Sequence, residues 1–140
     1  MKPLSSLNNS KPIGVFDSGL GGLTVLKELE KNLPNESFIY FGDTANLPYG
    51  SKSPKNIQNY AIQITEFLIN HNVKLIIIAC NTASSVALDV LKKRFDIPIF
   101  GVVSPSVKEA INSFTKGIVG VIGTQSTISS NSYLSKFNSL

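Results

Sequence analysis

The chain has only one cysteine, one histidine and one methionine among its 140 residues. A single cysteine excludes an intrachain disulfide framework, which favours a reducing compartment. One cysteine and one histidine are also too few for a typical zinc site, and no group of His, Cys, Asp or Glu has metal-ligand spacing. The sequence therefore argues against a disulfide-stabilised secreted domain and against a metal centre.

Long apolar runs and segregated charge are missing as well. No run approaches the length of a membrane span, and residues 1–11, rich in Ser and Asn, lack the apolar segment of a signal peptide. The formal net charge is +4, but no basic face with interleaved aromatics indicates nucleic-acid binding. The only basic cluster, Lys92-Lys93-Arg94, is typical of a helix C-terminus, where cations offset the dipole. We expect a cytoplasmic protein with a flexible tail over 1–11 that binds neither nucleic acid nor membranes.

The composition, 42% hydrophobic and 16% charged, is typical of a folded protein, and 140 residues are enough for one modest domain with a core. Five apolar segments predict buried strands, and helical patterns alternate with them. The strands are expected over 12–16, 37–41, 73–79, 97–103 and 118–122, and the helices over 20–33, 54–70, 82–95, 106–114 and 126–137. This alternation predicts an α/β fold with a mostly parallel sheet.

Cys80 lies at the end of the apolar run 73–79 and directly before Asn81 and Thr82. The pattern predicts a buried parallel strand that leads into a helix capped by Asn81 or Thr82. A helix N-terminus favours the reactive thiolate, although a lone cysteine after an apolar strand is often only a small buried hydrophobe. His71 precedes the strand, and a rise of about 3.3 Å per residue places it roughly 20 Å from Cys80, which makes it a poor base for that thiol.

Polar and glycine-rich motifs follow the first, second, third and fifth predicted strands. Because the carboxyl ends of parallel strands lie along one edge of a sheet, we expect these motifs to face a common crevice. Backbone amides from the turns and helix starts suit a small anionic ligand such as a carboxylate. The motifs are Asp17-Ser18-Gly19-Leu20-Gly21-Gly22, Gly42-Asp43-Thr44 with Leu47-Pro48-Tyr49-Gly50, Cys80-Asn81-Thr82, and Gly123-Thr124-Gln125-Ser126-Thr127.

Each motif also has a purely structural interpretation. The glycine turn has Thr24 in place of the third glycine of a dinucleotide motif and has no Gly-Lys-Ser/Thr, so taken alone it favours a tight strand-to-helix turn. The other structural roles are an N-cap for Asp17, a turn residue for Asp43, loop packing for Tyr49, and caps of the last helix for Thr124 and Thr127.

Taken together, five stretches resemble glutamate racemases, which belong to the cofactor-independent aspartate/glutamate racemase superfamily. Each stretch is modest evidence, but all five occur in the family's order and with near-family spacing from about Ile13 onwards. The resemblance implies a flavodoxin-like sheet with helices on both faces, present here in incomplete form. The matching stretches are 14–26, 40–44, 48–50, 79–84, and 121–124 with Thr127.

The resemblance also implies a chemistry. The family inverts the α-carbon of glutamate with two cysteines and no pyridoxal phosphate, and supplies D-glutamate for peptidoglycan, cell-wall biogenesis and cell shape. One thiolate removes the α-proton from one face, and the other thiol returns a proton to the opposite face. Carried over, Cys80 is the acid–base group for one face, and Asp17 assists it near the substrate amine. The implied substrate-binding residues are Asp17, Ser18, Pro48, Tyr49, Gly50, Asn81, Thr82, Thr124 and Thr127.

The chain departs from the family pattern at two points. Ser104 stands where family members usually carry an acidic residue, and the second catalytic cysteine, with its Gly-Cys-Thr-His motif, is missing. We therefore expect a fragment, with a first α/β domain over 12–103, which lacks its return elements, and the start of a second over 104–140. The fragment is expected to be inactive alone, and a homodimer is one possible assembly. The alternatives are a racemase of aspartate or another amino acid, a non-catalytic amino-acid-binding module, or a truncated relic.

Overall fold

Four of the five apolar segments form strands in the computed structural model, which describes residues 10–140. Of the predicted tail, residues 1–9 lie outside the described residues. The strands are β1 (Ile13–Asp17), β2 (Phe38–Gly42), β3 (Leu75–Ile78) and β4 (Ile99–Gly101). The helices are α1 (Leu23–Asn32), α2 (Pro54–Asn70), α3 (Asn81–Arg94), α4 (Val103–Ser113), α5 (Gln125–Ser129) and α6 (Ser132–Asn138), with a single turn of 3-10 helix at Tyr49–Ser51.

The four strands form one parallel sheet in the order β2-β1-β3-β4. Val15 of β1 lies between Tyr40 of β2 and Ile77 of β3 in this register. The chain order changes direction between β1 and β3, and open α/β sheets bind ligands in the crevice at such a switch point. The order is that of a flavodoxin-like sheet, so the predicted fold class is confirmed.

Helices cover both faces of the sheet because alternate strand residues point to opposite sides. Phe16 and Ile76 contribute to the larger core, which also contains Leu68 of α2 and Leu91 of α3. Burial of a side chain of this size contributes about 1.5–3 kcal/mol. On the opposite face Val15 belongs to a smaller core, against which α1 packs three partly buried side chains, Val25, Leu26 and Leu29.

Local sequence signals set the ends of the long helices. The Ser53 hydroxyl accepts a hydrogen bond from the Asn56 backbone N–H at 3.2 Å, and Pro54 occupies the first helical position of α2. The predicted and observed bounds of α2 therefore coincide. The basic cluster Lys92-Lys93-Arg94 forms the last turn of α3, as predicted.

The predicted fifth strand, over 118–122, is wrong. This segment is not part of the sheet, and the side chains of Ile118 and Ile122 are each 98% exposed. A strand needs a neighbouring strand to bond its backbone and a face to cover its side chains. Within residues 10–140 this segment has neither, so the apolar run does not form a strand.

The predicted helix over 126–137 is also corrected, because it divides into α5 and α6. Asn131 between them has φ 54°, the left-handed region, which ends one helix and redirects the chain into the next. The Ser130 hydroxyl donates to the Thr127 carbonyl at 2.6 Å across this junction. Among residues 10–140, no helix is both long and apolar enough to cross a bilayer.

Candidate active site

The first and third strands bring Ser18 and Cys80 together across the switch point. The Cys80 thiol donates to the Ser18 hydroxyl, with Sγ and Oγ 3.4 Å apart, although 62 positions separate the two residues. β1 and β3 pair with each other in the sheet. Ser18 is the first residue after β1, and Cys80 is the second residue after β3. The expectation that the strand-end motifs meet at one edge is confirmed for this pair.

Cys80 is the N-cap of α3, which corrects the prediction that Asn81 or Thr82 caps the helix. The Cys80 sulfur accepts a hydrogen bond from the Ala83 backbone N–H at 3.4 Å, and the residue is only 6% exposed. A sulfur at this position faces the positive end of the helix dipole, which stabilises negative charge on it. Cys80 is thus buried, as the structural interpretation expects, yet its sulfur lies at the N-terminus of α3.

Asp17 organises the glycine turn after β1. Its Oδ2 atom accepts hydrogen bonds from the backbone N–H groups of Gly19 at 3.1 Å and Gly22 at 3.0 Å. A Cβ added at Gly22 would lie 2.6 Å from the Asp17 Cβ and 2.8 Å from the Ala79 Cβ, so only glycine fits this close approach. The N-cap of α1 is Gly22, which corrects the interpretation of Asp17 as an N-cap. The Asp17 carboxylate instead closes the glycine turn and keeps Ser18 at the strand end.

Tyr40 is a site residue that the sequence analysis did not single out. Its phenol donates to the Gly19 carbonyl at 3.0 Å and so fixes the glycine turn against β2. Burial first, and then negative charge on Asp17 and Cys80, raise the pKa of Tyr40 from 10.0 to about 12. The phenol therefore remains a protonated donor at neutral pH. Its position in the middle of β2, three residues before Asp43, was the available signal.

Three threonine hydroxyls meet where α3 and α5 begin. The Thr82 hydroxyl oxygen lies 3.0 Å from that of Thr124 and 3.2 Å from that of Thr127, and the last two are 3.0 Å apart. Thr124 is also the N-cap of α5, because its oxygen accepts from the Thr127 backbone N–H at 3.3 Å. Hydroxyls donate and accept, so the cluster can rotate its protons toward a carboxylate oxygen.

The 48–50 loop presents its backbone to the site, because the side chain of its central residue, Tyr49, is buried. The Tyr49 ring is 2% exposed, and its hydroxyl donates to Asp43 Oδ2 at 2.6 Å. Burial and this hydrogen bond raise the pKa of Tyr49 well above its usual range. Gly50 lies against Thr124, so that a Cβ there would come within 2.6 Å of the threonine Cβ. The loop thus packs against Thr124 of the threonine cluster.

Residues 13–140 match the family described as Asp/Glu/hydantoin racemase. The chain belongs to this family. It is 52% identical over 123 residues to the glutamate racemase of Geobacter metallireducens, covering 88% of this chain and 46% of the relative. It is 51% identical over 132 residues to that of Chlorobaculum tepidum, covering 94% and 48%. The chain thus spans about half the length of the curated relatives that it matches.

Solved racemase structures share the fold. A glutamate racemase isoform of Bacillus anthracis superposes with a TM-score of 0.91 at 41% identity, covering 94% of this chain and 50% of that one. The Francisella tularensis glutamate racemase, solved with D-glutamate, gives 0.86 at 47% identity and covers 94% and 49%.

The remaining predicted residues lie at the rim of the site or away from it. The Asn81 side chain is exposed, and its Oδ1 accepts from the Tyr133 hydroxyl at 2.6 Å. Pro48 is exposed in the loop, and Ser104 is half-buried in the first turn of α4. His71 ends α2 before β3 begins, while Cys80 follows β3, so the two lie at opposite ends of that strand. Within residues 10–140, no group of three or more His, Cys, Asp or Glu side chains is placed to hold a metal ion.

Proposed function

We propose that this chain forms part of an enzyme that racemises glutamate, with Cys80 as the acid–base group for one face of the α-carbon. The observation that carries the proposal is the position of the Cys80 sulfur, at the N-cap of α3 and 3.4 Å from Ser18 at the switch point of the sheet. The proposal is supported by glutamate racemases that are about 50% identical to this chain. The switch point of an open α/β sheet is also where ligands of such folds bind.

In the proposed reaction, the Cys80 thiolate takes the α-proton of glutamate, and the electron pair of the broken C–H bond stays on the carbon. A second acid then delivers a proton to the opposite face, which inverts the centre. The same steps run in reverse for the other enantiomer. Two thiols suffice as acid and base, so the proposal requires no metal and no organic cofactor. Asp17 assists Cys80 near the substrate amine.

The neighbouring groups would hold the substrate. The hydroxyls of Thr82, Thr124 and Thr127 and the amide of Asn81 supply donors for a carboxylate, and Ser18 lies beside the sulfur. The backbone of Pro48, Tyr49 and Gly50 closes the edge. These assignments follow the family motifs.

The chain contains one cysteine, so it supplies only one of the two thiols that the proposed mechanism needs. Inversion requires acid–base groups on both faces of the carbon. We therefore expect the 140-residue chain alone to bind glutamate and to exchange its α-proton on one face, without inverting it.

The wider setting is part of the same proposal. D-glutamate made in the cytoplasm would serve peptidoglycan synthesis, cell-wall biogenesis and cell shape. The division into a first α/β domain over 12–103 and the start of a second over 104–140 also stays a prediction. It is supported by the end of the sheet at Gly101. A homodimer is the proposed assembly.

Aspartate is the second candidate substrate, because the matched family description covers aspartate and hydantoin racemases. A shorter side-chain carboxylate would have to reach the same donors. Parallel binding titrations with D-glutamate and D-aspartate separate the two, and tighter binding of aspartate would replace glutamate in the proposal.

The decisive experiment incubates the chain with D- and L-glutamate in D2O and follows the α-proton by NMR together with chiral analysis. We expect deuteration of one enantiomer without inversion, and its loss in Cys80→Ser. Serine is a good N-cap, so this variant preserves the start of α3. Exchange that persists in Cys80→Ser, or a chain that neither binds nor exchanges glutamate, would refute the proposed role of Cys80. Inversion by the chain alone would refute the requirement for a second thiol.

A further inference from the structure

A buried hydrogen bond between Asp43 and Tyr49 connects the end of β2 to the 48–50 loop. We propose that Asp43 is a positioning residue, which holds the Tyr49 phenol and thereby sets the backbone of Pro48, Tyr49 and Gly50 against the bound substrate. This inference rests on the proposed function, since it concerns how the same site meets glutamate. It assigns to Asp43 a role beyond that of a turn residue.

Asp43 is built into the strand ends. It is 6% exposed, its backbone N–H donates to the Asp17 carbonyl at 2.9 Å, and its Oδ2 accepts from the Tyr49 hydroxyl at 2.6 Å. The Asn46 amide donates to both carboxylate oxygens, at 2.9 and 3.0 Å. A carboxylate with several donors and little exposure is held rigidly, and a hydrogen bond to a charged acceptor is about twice as strong as a neutral one.

Tyr49 transmits this rigidity to the loop. Its ring lies in the larger core beside Tyr60, with the ring centroids 5.7 Å apart. The side chain is therefore an anchor, and the part of the loop that reaches the site edge is its backbone. A shift of the anchor moves that backbone directly.

The far end of the loop is held from the other side. Gly50 contacts Thr124, and the Ser126 hydroxyl donates to the Gly50 carbonyl at 2.9 Å. The loop is thus fixed between Asp43 on the sheet and α5, which carries two of the threonine hydroxyls. A misplacement of about 1 Å can cost a site much of its function. A residue that only completed a turn would not affect ligand binding in this way.

The test measures the Kd of the 140-residue chain for D-glutamate by calorimetry in Asp43→Leu, Tyr49→Phe and the double variant. We expect affinity losses of about tenfold for Asp43→Leu and about fivefold for Tyr49→Phe. The double variant should lose about tenfold rather than about fiftyfold, because both changes remove one shared hydrogen bond. Tyr60→Phe, which removes a phenol hydroxyl from the adjacent ring, is the matched control and should change Kd less than twofold.

Two further measurements use the conservative variant Asp43→Asn and the chain without glutamate. Asp43→Asn keeps an oxygen acceptor for Tyr49 and should recover most of the affinity that Asp43→Leu loses. Amide hydrogen exchange over residues 47–51 should speed up in Asp43→Leu and Tyr49→Phe without glutamate present. Faster exchange with unchanged Kd, or additive losses in the double variant, would overturn the positioning role. A wild-type chain that binds no glutamate would instead overturn the proposed function, while unchanged exchange would overturn the anchor itself.

Discussion

The sheet region, residues 12–103, and the carboxyl region, residues 104–140, are built very differently. Nearly all of the buried hydrophobic side chains belong to the sheet region. Among residues 104–140 only Val107 and Thr127 are buried, and every residue from 111 to 125 is exposed. The two regions have similar apolar patterns, so the difference lies in which partners the fold provides.

This contrast determines what each region contributes to the site. Cys80, Ser18 and Asp17 lie at strand ends, and hydrogen bonds connect Asp17 and Tyr40 to the glycine turn and Cys80 to Ser18. The carboxyl region supplies hydroxyls through a small contact, in which Thr127 is 3% exposed. The proposed acid–base group therefore belongs to the sheet region, and the substrate contacts from α5 depend on the hydrogen bonds that attach the carboxyl region to it.

The largest expected difference between the regions is in core truncation. Ile76→Ala removes a side chain that is 0% exposed, and should lower the free energy of unfolding by about 2–5 kcal/mol. Ile118→Ala removes the same atoms from a side chain that is 98% exposed, and should change it by less than about 0.5 kcal/mol. Urea unfolding followed by circular dichroism measures both.

Ile76→Val, with an expected loss of about 0.5–1.5 kcal/mol, keeps the comparison measurable if Ile76→Ala does not fold. A similar loss for Ile76→Val and Ile118→Val would show that residues 118–122 are packed against a surface in solution. That result would remove the contrast between the two regions.

A second test adds a methyl group to one glycine in each region. Gly22→Ala would place a Cβ 2.6 Å from the Asp17 Cβ, and overpacking of this kind costs about 1–3 kcal/mol. Gly120→Ala has no atom within 4 Å of the new Cβ, so stability should stay unchanged or rise slightly. Thermal unfolding compares the two. Equal effects would contradict the tight packing of the glycine turn.

Several features could be predicted because their signals are local. Ser53 and Pro54 define the start of α2, and the apolar run before Cys80 places the thiol at a strand end. Other features depend on strand order, which no local pattern contains. The bonds of Tyr40 to Gly19 and of Cys80 to Ser18 exist because β2, β1 and β3 are neighbours.

The prediction of a fifth strand was wrong for the same reason, because strand pairing depends on strand order and not on local sequence. Residues 118–122 have the continuous apolar run of a buried strand, but pairing requires a neighbour elsewhere in the fold. The sequence also did not indicate that the predicted helix over 126–137 divides at Asn131. The apolar positions continue through the break, while the Asn131 backbone adopts φ 54°. Periodicity predicts which face is apolar and does not predict what covers it.

The pH dependence of stability should come from the sheet region. The pKa of Tyr40 is raised from 10.0 to about 12 by burial first, and then by Asp17 and Cys80. A folded-state pKa above the unfolded value means that the stabilisation is complete below pH 10 and is lost as the pH rises through about 12. Stability should therefore fall across this window, by at most about 1.4 kcal/mol per pH unit for one such group.

Urea unfolding at a series of pH values between 9 and 12 measures this slope, and Tyr40→Phe should make it shallower. Absorbance titration of the phenolates gives an independent check, since Tyr40 should ionise late. A Tyr40→Phe chain with the same slope as wild type would assign the loss of stability to other groups. Tyr133→Phe, in the carboxyl region, is the control.

The smallest expected effect concerns the attachment of α5. The Ser126 hydroxyl donates to the carbonyls of Gly50 at 2.9 Å and Lys52 at 3.2 Å, and so ties the carboxyl region to the loop. Ser126→Ala should cost about 0.5–1.5 kcal/mol, the usual net value of one hydrogen bond. The loss should appear as faster amide exchange in α5, with little change in β1 or β3, because the core does not depend on this bond. Ser129→Ala, at an exposed position of the same helix, should leave exchange unchanged. Equal protection of α5 in both variants would show that the Ser126 bonds do not hold the helix, and that its attachment comes from the threonine cluster and from the contact of Ser132 with the Ser85 carbonyl.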